Sequence, residues 1–204
     1  MKAKHFLPAI LLVISYSACQ KDNDQNKSFD INGETSKVEW KGSAPTHFHT
    51  GSFDVEGTFT TDKKGKVNGG EFTIPIASIT NYDLPDGPKQ DLLTHLKSDD
   101  FFDVAIHPHA LFKISTVAPY TGSDASAIEG ANFVVNGNFT MLGETHPLSF
   151  PARITTRQDS VLTAATFKLN RLTWGMDSYN DPNAGLYLLP DVDITLDLRA
   201  GRDD

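Results

Sequence analysis

The sequence predicts an all-β domain, an eight-stranded antiparallel barrel with one capping α-helix between its third and fourth strands. Along eight segments apolar side chains alternate with polar ones, the period-two pattern of strands that bury one face. One segment between the third and fourth strands instead spaces its leucines at helical intervals. An open sheet of that many strands would expose two edges, and closure into a barrel removes both. A two-sheet sandwich remains the alternative, because alternation alone does not distinguish the two architectures.

The eight strands follow one another with turn-forming residues between them, around positions 62–65, 122–130, 143–147 and 157–160. Their apolar positions are, in order, Val38 and Trp40; Phe53, Val55 and Phe59; Phe72, Ile74 and Ile76; Ala110, Phe112 and Ile114; Phe133, Val135, Phe139 and Met141; Leu148, Phe150, Ala152 and Ile154; Ala165, Phe167 and Leu169; Val192, Ile194, Leu196 and Leu198.

The helix is predicted within residues 89–97, where Leu92, Leu93 and Leu96 fall on one face. Phe101 and Phe102 follow it directly, so we expect the helix and the two rings to cap one mouth of the barrel. A crossover helix that only covers a sheet edge is the alternative. A second irregular stretch, residues 174–190, is rich in Gly, Asp, Asn and Pro and predicts a long loop at a barrel rim.

The N-terminal segment has the organisation of a secretory signal. Lys2 and Lys4 precede an apolar run over residues 6–16 that is too short to cross a bilayer as a helix. Small residues then lead into Cys19, the one cysteine of the chain, and this resembles a bacterial lipobox. We therefore expect a signal peptide over 1–18, a lipidated N-terminus and flexible tether over 19–33, and the barrel domain over 34–200. An ordinary secretory signal that is cut nearby is the alternative.

The residues after the cysteine indicate a location. Lys21, Asp22 and Asp24 resemble the surface-export signal of lipoproteins in one group of Gram-negative bacteria. We expect a lipid anchor in the outer membrane with the domain exposed at the cell surface. A periplasm-facing anchor is the alternative.

Composition excludes several classes of partner. The chain carries 18 Lys and Arg against 26 Asp and Glu, a net charge of -8, which argues against nucleic acid and against electrostatic docking on anionic lipid. A single cysteine leaves no disulfide to form within the chain. No phosphate-binding glycine loop, His-Glu-x-x-His helix or Gly-x-Ser-x-Gly elbow occurs, so neither a cofactor nor a catalytic residue is predicted. The oligomeric state stays open.

Three segments carry a family resemblance. Residues 92–112 (LLTHLKSDDFFDVAIHPHALF) resemble the helix-to-strand signature of the YceI-like family, in which His-Leu-Lys-Ser precedes an acidic residue and two Phe. Residues 137–143 (GNFTMLG) with Pro147 resemble the family's strand-turn-strand segment. Residues 167–176 (FKLNRLTWGM) resemble its late strand, in which Asn-Arg precedes an aromatic-Gly pair. The resemblance covers about residues 34–199 in order.

The resemblance implies a lipocalin-like barrel that binds a long-chain apolar ligand (polyisoprenoid, isoprenoid quinone or fatty amide) for carriage or storage, and no enzymatic activity. Thirteen Phe agree with an apolar interior, and the inward Gly57 and Gly137 are expected to leave room for a chain. A core filled by its own side chains is the alternative. The predicted apolar ligand-binding residues are Trp40, Phe53, Val55, Phe59, Phe72, Ile74, Leu92, Leu96, Phe101, Phe102, Phe112, Phe133, Val135, Phe139, Phe150, Phe167, Leu169 and Leu196.

One cation is singled out near the predicted rim. Arg171 follows Asn170 and shortly precedes Trp174, so it is expected either to meet a ligand headgroup at the mouth or to pair with a neighbouring Asp.

Two His-x-His pairs support a competing hypothesis. His47 and His49, and likewise His107 and His109, would point the same way on a strand, as zinc or copper ligands do. The alternative function is therefore a metal-binding protein or a metal-dependent enzyme. Pro45, Gly51 and Pro108 near these pairs instead favour scattered loop histidines, so no metal site is predicted.

Overall fold

The computed structural model describes residues 26–124 and 126–202. Ten strands form one sheet in which every neighbouring pair is antiparallel. The elements are β1 Lys27–Ile31, β2 Lys37–Ser43, β3 Phe48–Phe53, β4 Glu56–Thr61, β5 Val67–Pro75, α1 Asp86–Lys97, β6 His109–Pro119, β7 Phe133–Met141, β8 Glu144–Thr156, β9 Ser160–Asn170 and β10 Asp191–Gly201.

The sheet closes on itself. Its strand order is β1-β4-β5-β6-β7-β8-β9-β10-β2-β3, and β1 also pairs with β10. Strands β1 and β2 occupy successive stretches of one barrel position, because β10 pairs with β2 along residues 193–197 and with β1 at Ala200 and Gly201. Strands β3 and β4 share the next position in the same way, through their pairings with β2 and β1. The ten strands therefore fill eight positions, which confirms the predicted eight-stranded antiparallel barrel over the two-sheet sandwich.

The domain begins earlier in the chain than expected. Residues 27–33 were assigned to the tether, but Lys27–Ile31 form a strand that pairs with β4 and β10. Phe29 lies on this strand and is 1% exposed, so it belongs to the core. The surrounding residues are polar, and two apolar side chains in KSFDI were too few to reveal a period of two. Residues 19–25 of the predicted tether, and the predicted signal peptide, lie outside the described residues.

The predicted helix is confirmed as α1, which begins at Asp86, three residues before the predicted start. Pro85 precedes it in an extended conformation. Pro88 lies in the first turn, where a backbone N–H has no acceptor within the helix, so the absence of this group in proline costs no hydrogen bond. The helix ends at Lys97, after which the Ser98 hydroxyl donates to the His95 carbonyl at 2.7 Å. Among the described residues, no helix is long and apolar enough to span a membrane.

The barrel has two different ends. The tether end carries Lys27, the turns at 62–66 and 157–159, and the last residue of β10. The mouth end carries α1, the hairpin turn at 44–47, and the residues 175–190 between β9 and β10, which we call the rim loop. At the tether end the barrel is filled by its own buried side chains, Phe29, Val67, Ile154 and Val161.

We expect Phe29→Ala to lower the free energy of unfolding by about 3–5 kcal/mol, because it removes a fully buried ring from the filled end of the barrel. The matched control is Phe48→Ala, whose ring is 52% exposed and whose loss should cost within about 0.5 kcal/mol. Urea unfolding of both variants measures the difference. Equal midpoints would contradict the place of β1 in the folded domain.

Candidate ligand-binding cavity

A cavity of about 200 Å³ lies inside the barrel between its filled end and its mouth. At about 30 Å³ for a water-sized group, it has room for roughly seven methylene groups. Its walls are apolar apart from three side chains, Ser43, Thr163 and Arg171, among the described residues. Leu189 lines the cavity and is also 38% exposed, so the cavity reaches the surface beside the rim loop.

Five phenylalanines, on β4, β5, β6, β8 and β9, form an aromatic belt along the cavity wall: Phe59, Phe72, Phe112, Phe150 and Phe167. Their rings contact in sequence, with centroids 4.8 Å apart for the first pair, then 6.4 Å, 5.7 Å and 4.4 Å. The last pair is stacked at 11°. Each strand presents its ring inward because alternate side chains share a face. The contacts fix the rings against one another, so the belt is a rigid apolar wall.

The glycines expected to leave empty space serve another purpose. A Cβ at Gly137 would lie 2.5 Å from the Phe112 ring and 2.4 Å from the Lys113 carbonyl oxygen. At Gly57 the backbone φ is +136°, and a Cβ would lie 2.1 Å from the Glu71 carbonyl oxygen. These positions therefore admit neighbouring rings and backbone, and the expectation that they leave room for a chain is wrong.

Most of the predicted apolar residues line the cavity, and the exceptions are Leu92 and Phe133. Leu92 lies one turn before Leu96 on α1 and packs against the core from its edge. Phe133 begins β7 opposite Ala152 and Pro119, towards the tether end and below the cavity. The alternation of the strand correctly placed Phe133 on the inner face of the sheet. Alternation does not, however, specify how deep along the barrel axis a side chain lies.

Residues of the irregular segments complete the lining and were missed by sequence reasoning. Ile79 follows β5, and Met176, Leu188 and Leu189 belong to the rim loop. The two adjacent leucines in an otherwise polar loop could have indicated that part of this loop is buried. The loop therefore contributes an apolar underside to the cavity.

The capping helix and the rim loop meet above the cavity. Leu96, Phe101 and Phe102 line the cavity from the helical side, with Phe102 edge-on to Phe53 at 5.7 Å between centroids. Tyr179 of the rim loop stacks on Phe101 at 5.8 Å.

His95 ties these two elements together. Its Nε2 lies 3.3 Å from the Tyr179 hydroxyl and 3.0 Å from Asp100 Oδ2. Its ring is also edge-on to Phe101 at 5.0 Å between centroids. The helix and the loop are thus joined into one lid by aromatic and polar contacts.

Arg171 fastens the rim loop. Its guanidinium donates to the carbonyl oxygens of Met176, of Leu188 at 3.1 Å and of Leu189 at 3.4 Å. The residue is 3% exposed, and no carboxylate of the described segments forms a salt bridge with it. Burial lowers the pKa of the guanidinium below its usual value, while the charge of Asp177 acts in the opposite direction. The rim ion pair offered as one alternative is wrong, and three loop carbonyls take its place.

Asp83 fastens the segment that leads into the capping helix. Its Oδ1 accepts from the Thr50 N–H at 2.7 Å and the Asn81 amide at 2.9 Å, and Oδ2 lies 2.7 Å from His49 Nδ1. Partial burial raises the pKa of this carboxyl, but the hydrogen bonds and the charge of His49 outweigh it and lower the pKa to about 2. The chain before α1 is thereby held against β3.

The histidine pairs do not assemble a metal centre among the described residues. The His47 and His49 rings lie 5.6 Å apart, edge to face, and His49 is engaged with Asp83. Over residues 26–124 and 126–202, no three His, Cys, Asp or Glu side chains come together in a way that could hold a metal ion. The described residues therefore provide no set of ligands for the metal-binding hypothesis.

The profile of the YceI-like domain matches residues 29–200 of the chain. A UPF0312 protein of Pectobacterium atrosepticum is 29% identical over 160 residues, which cover 76% of this chain and 67% of the relative. Protein YceI of Salmonella arizonae is 30% identical over 150 residues, which cover 71% of this chain and 62% of the relative. The chain spans about two thirds of the length of these curated relatives.

Solved structures share the fold. BcnA of Burkholderia cenocepacia superposes with a TM-score of 0.64 at 20% identity, over 84% of this chain and 99% of that one. A polyisoprenoid binding domain from Saccharophagus degradans, implicated in plant cell wall breakdown, gives a TM-score of 0.62 at 13% identity, over 86% and 98%. At these identities the likeness extends to the fold alone.

We expect Arg171→Met to free the rim loop, because three carbonyls lose a charged donor. The free energy of unfolding should fall by at least about 1.5–3 kcal/mol, and proteases should cut within residues 176–189 sooner. The control is Arg153→Met, since Arg153 is exposed and donates to one carbonyl, that of Glu129. Unfolding curves and timed proteolysis measure both effects. A loop equally protected in the two variants would contradict the fastening role.

Proposed function

We propose that this chain, which belongs to the YceI-like family, holds a long-chain apolar ligand in its barrel for carriage or storage. The apolar cavity inside the barrel is the place where the ligand would bind. The candidates are a polyisoprenoid, an isoprenoid quinone or a fatty amide. The cavity is the single observation that carries the proposal. Burial of about seven methylene groups at about 0.8 kcal/mol each amounts to about 6 kcal/mol before the costs of binding.

The size of the cavity constrains how a ligand is held. A chain much longer than about seven carbons exceeds the enclosed volume and has to continue through the mouth beside Leu189 or displace the rim loop. The similar fold of the Saccharophagus degradans polyisoprenoid binding domain supports a ligand of this type.

Binding without catalysis is the function that these residues support best. The cavity wall holds three polar side chains, and Arg171 among them is engaged with loop carbonyls. No nucleophile and base pair with a hydrogen bond between them lines this cavity among the described residues. Carriage or storage of an apolar molecule needs no such pair.

A lipid anchor at Cys19 is part of the proposal, with the domain held at the outer membrane and exposed at the cell surface. Support comes from the lipobox-like sequence before Cys19 and from the position of Lys27 at the tether end of the barrel. Seven residues separate Cys19 from Lys27, and the eight Cα-to-Cα steps between these two residues span at most about 27 Å when extended. An anchored barrel would therefore point its mouth away from the anchoring membrane, or lie on its side.

We expect Leu96→Asp to reduce the amount of co-purified lipid by more than about tenfold, because it places a carboxylate on the apolar wall of the cavity. Leu92→Asp is the matched control, since Leu92 is half-buried on the same helix and does not line the cavity. Lipid is measured by solvent extraction and mass spectrometry, and stability by thermal unfolding of delipidated protein. If the two variants retain lipid equally, the cavity lined by Leu96 does not hold the lipid, and the proposed function is contradicted.

We expect Cys19→Ser to abolish labelling by radioactive palmitate and to move the protein from the detergent phase to the aqueous phase. The hydroxyl does not accept the diacylglyceryl group that a thiol accepts in a lipoprotein. Phase partitioning of wild type and variant provides the measurement. Identical partitioning, with neither protein labelled, would contradict the anchor while leaving the ligand proposal intact.

A further inference from the structure

Exposed apolar side chains are concentrated at one end of the barrel. Among the described residues, the large apolar side chains that are exposed are Phe48, Tyr82, Ile106, Leu111, Leu186 and Leu189. All but Leu111 lie in or beside the turns and loops of the mouth end, and Leu111 is the third residue of β6, which begins there. The turns of the tether end, at 62–66 and 157–159, are polar. Single exposed apolar side chains are ordinary, but a concentration at one end indicates an interaction surface.

The side chains nearest the opening lie on neighbouring elements, and we call them the mouth patch: Phe48, Tyr82, Leu186 and Leu189. The Ser43 carbonyl accepts from the Leu189 N–H at 2.8 Å, and Ser43 pairs with Phe48 across β2 and β3. At the outer edge of β3 the Tyr82 N–H donates to the Thr50 carbonyl at 2.9 Å. Leu186 lies three residues before Leu189 in the exposed part of the rim loop. The patch thus runs from the rim loop across β3 to the chain before α1.

The mouth patch is continuous with the proposed ligand site. Leu189 lines the cavity and is also exposed, so the cavity opens at the patch. An apolar chain that leaves through this opening into water loses the favourable free energy of burial for each methylene group that becomes hydrated. No such loss occurs if an apolar phase covers the patch, because the chain then passes from one apolar environment into another.

The side chains at the patch are of the kind found at membrane surfaces. Phe48 faces outward on β3, since Phe53, five residues later on the same strand, is buried in the core. The Lys41 ammonium lies 4.5 Å from the centroid of the Phe48 ring. A lysine can lay its stem along apolar surface while its charge stays among polar groups. Tyr82 combines an apolar ring with a polar hydroxyl, a combination that is enriched at membrane interfaces.

The charges around the patch favour headgroups without net charge. The charged side chains on the elements that carry the patch, or beside them, are Lys41, Lys168, Asp83, Asp177, Asp181, Asp191 and Asp193. Negative charges outnumber positive ones, so an anionic surface would repel this end of the barrel. A zwitterionic bilayer exerts no such repulsion, and it is also a phase in which an apolar ligand dissolves.

The tether limits which bilayer the patch can reach. Cys19 and Lys27 are at most about 27 Å apart, and Lys27 lies at the opposite end of the barrel from the patch. Strand β10 has 11 residues, about 36 Å along its path, and at a tilt of about 40° it spans about 28 Å of barrel height. An upright barrel with its mouth on the anchoring bilayer would therefore need the whole extended tether. A barrel on its side needs less, and the outward-facing Phe48 can then reach that bilayer.

We propose that the mouth patch inserts into the zwitterionic surface of the bilayer that holds the acylated Cys19, with the barrel lying on its side. The cavity then opens directly into this bilayer, and the ligand moves between the two without crossing water. This inference rests on the proposed function, both the ligand and the anchor, and it selects one of the two orientations that the tether allows.

The test measures which part of the anchored protein enters a bilayer of phosphatidylcholine. Cys19 is the one cysteine of the chain and its thiol is acylated, so a cysteine introduced by Leu186→Cys, Leu111→Cys or Lys64→Cys takes a nitrobenzoxadiazole label alone. Leu186 and Leu111 are 45% and 46% exposed and form a matched pair, while Lys64 lies at the tether end. We expect phosphatidylcholine that is spin-labelled in its acyl chains to quench the label at 186 at least about threefold more than the labels at 111 and 64.

A variant of the patch supplies the second measurement. Phe48→Ser removes an apolar ring from the bilayer contact and should lower the quenching of the label at 186 at least about threefold. The ring is exposed and does not line the cavity, so stability and the amount of co-purified lipid should stay unchanged. Leu111→Ser, made in the same labelled protein, is the control and should leave the quenching as it is.

The outcomes separate this inference from the function on which it rests. Quenching of the label at 64 but not at 186 would show an upright barrel and overturn the inference, while ligand binding stands. Equal quenching at 186 and 111 would also overturn it, because the patch is then in water or covered by a protein partner. If the protein carries no acyl group, the anchor fails and this inference fails with it, and lipid extraction decides separately whether the barrel holds a ligand.

Discussion

The structure depends on the closure of one antiparallel sheet. The β1–β10 pairing closes the sheet, and the outer edge of β3, which has no second strand partner, bonds instead to residues 80–83. Closure at eight positions also fixes the interior width, close to what side chains alone can fill. Phe29, Val67 and Val161 fill it at the tether end, whereas the aromatic belt leaves a cavity. Rigid rings in mutual contact hold that wall open at little conformational cost, because a phenylalanine has only two side-chain torsions.

The sequence predicted the barrel and most of the cavity wall because a strand repeats every two residues. For Phe53, Phe112 or Phe167, the side of the sheet follows directly from parity. Depth does not, which is why Phe133 was placed on the wall although it lies nearer the tether end. Strand β1 escaped notice because its pairing with β4 and β10 comes from distant parts of the chain, and its own residues are mostly polar.

The rim loop could not be predicted for a different reason. Arg171 is held by three backbone carbonyls, and a carbonyl is present at every residue, so no sequence pattern marks the partners. Sequence reasoning looks for a carboxylate opposite a cation, and Asp177 acts on Arg171 only through its charge. The apolar underside of the loop was likewise hidden, because Leu188 and Leu189 sit in a segment whose Gly, Asp and Asn content indicates an exposed loop.

The lid is held by fewer contacts than the barrel wall, so we expect a ligand bound as proposed to leave on that side. The strand pairs β9–β10 and β7–β8 are joined along their whole paired length by backbone hydrogen bonds, so the part of the wall that they form is costly to open. The lid is held by a few local contacts: Tyr179 on Phe101 and His95, and Arg171 on the loop carbonyls. Local opening costs less than global unfolding where contacts are few. Exchange would therefore proceed by lifting the rim loop from the helix, which exposes the rim-side polar groups Ser43 and Arg171 before the apolar wall beneath them.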